Sequence, residues 1–278
     1  MHISGSKTQR LIDKMGRREP AIGVLNMSYS VEFVEILGHV GFDFIYADQM
    51  FTTIGWKELG DMVRAAQGSD MAVLARIEND PWHSADDPGV ASRVARALAV
   101  GADGVKVNVY SKVEARWAVD AGAGWHARPY IARFINDSGS ATEQFKQHEQ
   151  ERAAGTLIIP SVESKLAMDQ VDEILDIPGI RAFGIAMTDT AIALGHPMDY
   201  DHPDVWNFVD KVAAKARSRG IYLTAGTGYA DRTWDGIAAR VRRLHDHGID
   251  MIFLQSPEYL FQLATAYLLA KVREALKP

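Results

Sequence analysis

Short apolar runs rich in β-branched residues recur along this chain, separated by stretches whose apolar residues return every three or four positions. The runs are 21–27, 41–48, 72–77, 104–109, 156–164, 180–189, 221–225 and 251–255. Runs of this length bounded by turn signals read as strands buried on both faces. Between them lie helical patterns at 31–38 behind a Ser30 cap, and at 56–66, 90–101, 112–121, 164–174, 204–219 and 234–247. An amphipathic segment at 7–19 puts Leu11, Ile12 and Met15 on one face and suits a plug for a barrel floor. Residues 257–276 form a long closing helix with Leu260, Leu263, Leu268 and Leu269 available for packing.

Eight strands alternating with helices, without a linker-like shift in composition, predict an α/β fold: a single (β/α)8 TIM barrel spanning residues 1–278. A doubly wound open sheet is the competitor, but no Gly-rich dinucleotide fingerprint follows the first strand. Regularity fails at 122–140, a Gly/Pro/aromatic segment followed by a polar helical pattern at 141–154. An insert of that length, 122–154, reads as a lid or an interface element.

Composition narrows the function. The 278 residues are 47% hydrophobic and 24% charged, ample for a large core and a soluble surface, and the net charge of −6 argues against nucleic acid as partner. A small-molecule ligand is expected instead. With no cysteine, thiolate chemistry, disulfides and Cys-based metal sites are excluded. No apolar run reaches the ~18 residues of a membrane span, and 1–7 lacks the apolar core of a signal peptide, so no membrane partner and a cytoplasmic setting are expected.

Two strand-like runs end in acids, Glu163 and Asp189, on what would be neighbouring strands at the catalytic rim of a barrel. Such a pair suits a hard divalent cation held by one or two carboxylates; the alternative is a surface acid capping each following helix. Arg76, near the end of the third strand, is placed to clamp a substrate carboxylate or to pair with Asp48 or the other acids, and Asp48 could order metal-bound water or simply satisfy Arg76. The loop 225–232 lies where barrels bind phosphate, although two glycines in a turn need mean no more than a turn. The nine histidines show no metal-binding spacing; His245 and His247, late in a helix, suit its dipole.

With the strands laid out, the chain resembles the HpcH/HpaI aldolases, metal-dependent lyases that cleave hydroxy-oxo acids to pyruvate and an aldehyde. The likeness runs from about Ala21 to Ala275. It is carried by Gly41-Phe-Asp-Phe-Ile-Tyr-Ala-Asp48, Arg76 with Asn79-Asp-Pro81, the segments from Val162 to Met168 and from Ile174 to Ile180, and Thr188-Asp-Thr190 with His202-Pro203. The resemblance implies that Glu163 and Asp189 hold Mg²⁺ or Mn²⁺, and that Arg76 binds a 2-oxo acid and steadies its enolate. It also implies exchange of the C-terminal helix between barrels in a homo-oligomer, dimer-based and extending to hexamers.

The chain departs from the family pattern at several positions. Gln49-Met50-Phe51 stands where the family reads Gly-Glu-His, so the proton-transfer histidine is a phenylalanine that cannot accept a proton. Ala99 replaces an acid, the fourth strand ends Val107-Asn-Val-Tyr110 without the family's proline, and Ala186-Met187 replaces Gly-Pro. Two readings follow. One is a lyase in which water or a group such as Tyr110, His126 or Tyr130 moves the proton, and in which Phe51, Met50 and Trp82 favour a bulky or aromatic carbonyl partner. The other is a barrel that binds a carboxylate ligand without aldolase turnover.

Overall fold

The computed structural model describes residues 7–77, 86–123, 139–229 and 231–277. Eight parallel strands follow in chain order: β1 (Ala21–Asn26), β2 (Phe44–Asp48), β3 (Ala72–Ile77), β4 (Gly104–Val109), β5 (Leu157–Val162), β6 (Ala182–Ile185), β7 (Tyr222–Gly226) and β8 (Met251–Leu254). Each pairs with the next, and β8 pairs back onto β1, closing the predicted barrel. The described helices are α1 (Lys7–Gly16), α2 (Val31–Val40), α3 (Trp56–Ala65), α4 (Gly89–Val100), α5 (Lys112–Ala123), α6 (Ala141–Gly155), α7 (Lys165–Asp169), α8 (Val171–Leu175), α9 (Met187–Ala193), α10 (Pro203–Ser218), α11 (Trp234–Asp246) and α12 (Pro257–Ala275). Of the expected insert, 124–138 lies outside the described residues, as do Trp82, His126 and Tyr130.

Strand alternation divides the apolar residues into two cores. Outward positions such as Ile45, Val73, Val105, Val107, Ile158 and Phe183 pack under the helices. Inward positions such as Ala21, Phe44, Tyr46, Leu74, Leu157 and Ile159 fill the barrel, and Leu11 and Met15 of α1 plug its floor as their spacing predicts. Phe44, Tyr46 and Phe253 meet edge to face inside, with centroid separations of 5.1 and 5.3 Å. Gly23 makes room for them: a Cβ there would lie 2.5 Å from the Phe44 ring. The Tyr46 hydroxyl reaches across the barrel to Thr224 Oγ1 at 3.1 Å, which satisfies both buried groups.

Two elements differ from expectation. The helix expected at 164–174 is two short ones, because Gln170 leaves helical geometry (φ −99°, ψ 8°) and its side chain accepts from the Lys112 amide at 3.0 Å. The sixth strand is only four residues long, and Asp189, expected to end it, sits in the first turn of α9. There the free amides of a helix start favour an acid.

The floor is stitched by a repeated Gly-x-Asp device at three helix-to-strand junctions. Gly41, Gly101 and Gly248 end their helices at φ of 101°, 114° and 87°, a conformation that suits glycine. Two residues later Asp43, Asp103 and Asp250 each bond twice to the preceding strand in sequence. Their amides donate to the carbonyls of Ile22, Val73 and Leu223 at 2.8, 2.8 and 2.9 Å. Their carboxylates accept from the amides of the same three residues at 2.8, 2.8 and 2.9 Å. Burial raises the Asp103 and Asp250 carboxyls, and the amide bonds oppose that rise.

Asp103→Ala should therefore cost about 1–3 kcal/mol in denaturant unfolding, because the buried Val73 amide loses its acceptor. Asp103→Asn, whose amide oxygen accepts the same bond, should cost less. A raised folded pKa gives a contribution that is full below the unfolded value and lost as pH rises through the folded one. Wild-type stability should accordingly decline relative to Asp103→Asn from about pH 4 upward; parallel pH profiles would exclude burial as the cause.

Candidate active site

Along the strands the inward positions turn from apolar to charged within one or two pleats. In β2 they read Phe44, Tyr46, Asp48; in β3 Ala72, Leu74, Arg76; in β4 Gly104, Lys106, Asn108. Strand register aligns Asp48 with Arg76 and Arg76 with Lys106, so three adjacent strands present one acid and two cations in a row. Glu163 follows the end of β5, and Asp189 projects from the start of α9. Arg76, Lys106, Glu163 and Asp189 line one cavity of about 270 Å³ at the C-terminal strand ends, where barrel enzymes place their chemistry. Its other walls include Met27, Phe51, Met187, Tyr229, Phe253 and Gln255.

Arg76 fulfils both alternatives left open for its pairing. Nη1 lies 3.2 Å from Asp48 Oδ2 and Nη2 lies 3.5 Å from Glu163 Oε1. Asp48 is fully buried, stands behind Arg76 and does not line the cavity. Its other oxygen accepts from the Met50 and Phe51 amides at 2.9 and 3.4 Å, which fixes the turn after β2. That turn lays the Phe51 ring over the guanidinium, 4.9 Å from Cζ to centroid. It turns Met50 the other way: Met50 Sδ accepts from Asn108 Nδ2 at 2.9 Å, and Met50 does not line the cavity as expected of it.

The helix-cap alternative for Glu163 fails, because Ser164 is the cap of α7, its Oγ accepting from the Ala167 amide at 3.2 Å. Glu163 is left with a buried Oε1 that has no hydrogen-bond partner. Desolvation raises its pKa, Lys106 and Arg76 oppose the rise, and Asp189 adds to it. The Asp189 carboxyl is likewise raised by burial, opposed by its own backbone amide and the two cations. For Lys106 burial acts in the opposite sense: desolvation, reinforced by Arg76, lowers the ammonium to about 8 against the pull of the acids.

Lys106 is the residue that sequence reasoning missed. The signal was present: valines at 105, 107 and 109 face the helices, so 106 and 108 face the barrel interior, where an unpaired charge is costly. Tyr229 and Gln255 were also missed as cavity walls; Gln255 Oε1 is another buried acceptor without a partner. The glycines of the 225–232 loop have local explanations. A Cβ at Gly226 would collide with the Phe253 ring, and Gly228 adopts φ 71°.

Two other features stand apart from this cavity. A larger one, about 770 Å³, opens beside α1 at the floor, but its Lys14 is already paired with Asp43 and its Arg10 with Asp70. His196, His202 and Asp204 have potential ligand atoms within 4.8 Å of one another, and the two imidazoles stack at 3.3 Å. His202 Nδ1, however, accepts from the Asp204 amide at 3.2 Å and caps α10. That cap uses one of the two ring nitrogens of His202, and His196 Nε2 is paired with Asp204 Oδ2 at 2.9 Å.

Comparisons with known proteins agree with this architecture. A profile of the HpcH/HpaI aldolase/citrate lyase family matches residues 88–257. A 2-dehydro-3,6-dideoxy-6-sulfogluconate aldolase from Pseudomonas putida is 26% identical over 76% of this chain and 80% of its own. A 2-keto-3-deoxy-L-rhamnonate aldolase from Escherichia coli K12 is 24% identical over 75% of each. Among solved structures, an HpcH/HpaI aldolase from Desulfitobacterium hafniense superposes with TM-score 0.75 at 24% identity, covering 96% of this chain and 98% of that one.

In protein freed of divalent metal by a chelator, carbon-13 NMR of labelled lysines should show a side chain titrating near pH 8, absent from Lys106→Met. Lysines all titrating near the ordinary value would contradict the desolvation described for Lys106.

Proposed function

The chain belongs to the HpcH/HpaI aldolase/citrate lyase family, and on that premise we propose that it is a carbon–carbon lyase acting on a 2-oxo acid, with Mg²⁺ or Mn²⁺ as cofactor. The observation that carries this reading is the convergence of Arg76, Lys106, Glu163 and Asp189 on one cavity at the strand ends. The residues fit a hard divalent cation. Glu163 and Asp189 offer carboxylate oxygens, Glu163 Oε1 is buried with only the long contacts to Arg76 and Lys106 at 3.5 and 3.9 Å, and burial disfavours the ionised form of both acids. When bound, such a cation supplies a Lewis acid for the carbonyl of the oxo acid.

The chain's own residues do the rest by position and charge. Arg76, held from behind by Asp48, presents its planar fork to the substrate carboxylate and to the charge that develops on the enolate oxygen. Asp48 acts through Arg76 as a positioning residue. Phe51 covers one face of the guanidinium and keeps water from it. Phe51, Met27, Met187, Tyr229 and Phe253 give the remaining space an apolar wall that suits a bulky or aromatic carbonyl partner. Among the described cavity-lining residues there is no histidine. The second reading, a barrel that binds a carboxylate ligand without aldolase turnover, rests on that feature and on Phe51 in the proton-transfer position.

The proposal extends to the assembly, a homo-oligomer built on dimers. Helix α12 presents Phe261, Tyr267, Leu268, Leu269 and Val272 to solvent, with Leu276 at its end, and only Pro257 of the helix is buried. A run of apolar groups of that extent marks an association surface, and exchange of the helix between barrels would cover it.

Calorimetric titration with pyruvate and with oxaloacetate should show binding that requires both Mn²⁺ and Glu163; binding unaffected by Glu163→Ala and by chelation would remove the metal from the proposal. In an aldol-cleavage assay Arg76→Ala should lower kcat/KM by about 10²–10³, and Arg76→Lys should not restore it. Ligand binding without turnover of any 2-oxo acid adduct would favour the second reading. Light scattering should give a mass of a dimer or larger, reduced by Leu268→Asp with Leu269→Asp; a monomeric wild type would refute the assembly.

A further inference from the structure

Lys106 has no role in the proposed chemistry, yet its amine enters the barrel beside the two acids assigned to the cation. It projects from the middle of β4, in register with Arg76, and is almost wholly buried. The contacts of Nζ are long: 3.4 Å to Asn108 Oδ1 and 3.9 Å to Glu163 Oε1. An ammonium locked into a closed ion pair would sit nearer 2.8 Å. Glu163 thus faces two built-in cations, since Arg76 Nη2 lies 3.5 Å from the same Oε1. Asp189 feels both as well.

We propose that Lys106 is a resident cation that shares the Glu163–Asp189 carboxylates with the divalent metal, weakening the site for the bare ion and favouring the ion carried in with a 2-oxo acid. The inference rests on the metal reading above and adds what this chain does with it. Charges a few ångströms apart in a partly desolvated site interact strongly. A bare dication entering beside Glu163 meets the repulsion of Lys106 in full. A dication already chelated by an oxo-acid carboxylate brings one positive charge less, so that repulsion falls. The substrate's anionic oxygens also give the loosely held Lys106 ammonium a partner that Asn108 and Glu163 do not provide at close range. Metal and oxo acid therefore bind with positive coupling, and by linkage each tightens the other by the same factor.

The test uses the full chain, freed of metal by a chelator and then dialysed, with Mn²⁺ as the metal and oxalate as an unreactive mimic of the enolate. Free Mn²⁺ is counted by electron paramagnetic resonance. In wild type, Mn²⁺ alone should bind weakly and oxalate should tighten it. In Lys106→Met, Mn²⁺ alone should bind about tenfold or more tightly than in wild type, and the enhancement by oxalate should shrink. Lys106→Gln, with a polar side chain near the length of the lysine stem, should move in the same direction and serves if the Met variant does not fold. A tightening is diagnostic, because a variant whose site is merely disturbed would bind metal less well. Equal or weaker Mn²⁺ binding in the folded variants, or an unchanged oxalate effect, overturns the inference while leaving the metal reading intact. Failure of Mn²⁺ to bind any form, with or without oxalate, overturns both.

Discussion

The ion pair between Asp48 and Arg76 is the interaction on which the upper half of the barrel depends. It spans two adjacent strands at the level where the interior changes from Phe44, Tyr46 and Leu74 to charge. A guanidinium at that depth is tolerable only if paired, and removing one partner of such a pair leaves an uncompensated buried charge. Asp48 solves a second problem with its other oxygen, by gathering the amides of the turn after β2. The same carboxylate therefore fixes the arginine and the ring that covers it. Everything that faces the cavity from β2 and β3 follows from one aspartate.

Charge in the row Asp48, Arg76, Lys106 and in the acids above it nearly balances, but the balance is uneven in space. Arg76 is tied on two sides, Lys106 is held at a distance, and the buried Glu163 Oε1 that both cations face makes no close hydrogen bond. Burial disfavours the charged form of Glu163, Asp189 and Lys106 alike. Clustered, strained ionisation of this kind is a mark of functional sites more than of structural ones. The barrel sustains it because its lower half is densely packed and its floor is stitched by the three Gly-x-Asp junctions.

The sequence carried the alternation of strands and helices directly. Two strands, 72–77 and 104–109, begin and end where their apolar runs do, and α1 plugs the floor with the residues its spacing selects. No helix among the described residues is long and apolar enough to cross a membrane, in line with the reading of hydropathy. Arg76, Glu163 and Asp189 could be singled out because a charge at the end of an apolar run stands out against its neighbours, Phe51 only through its departure from the family pattern, and all four line the cavity. Period-two strands and period-3.6 helices are local properties, and a chain writes them residue by residue.

What the tertiary structure decided is how those residues meet. Register across β2, β3 and β4 aligned Asp48, Arg76 and Lys106, and closure of the barrel turned a lysine in the middle of a valine-rich strand into a wall of the site. It ended β6 early and moved Asp189 onto a helix start, handed the cap of α7 to Ser164 so that Glu163 was left for other use, and turned Met50 away while Phe51 faced in. The register and the burial depend on pairings between residues tens of positions apart, whereas the Ser164 cap and the Asp48 turn are local bonds whose use only the folded chain reveals. The period of the side chains says which face each residue occupies; only the closed sheet says which charges share it.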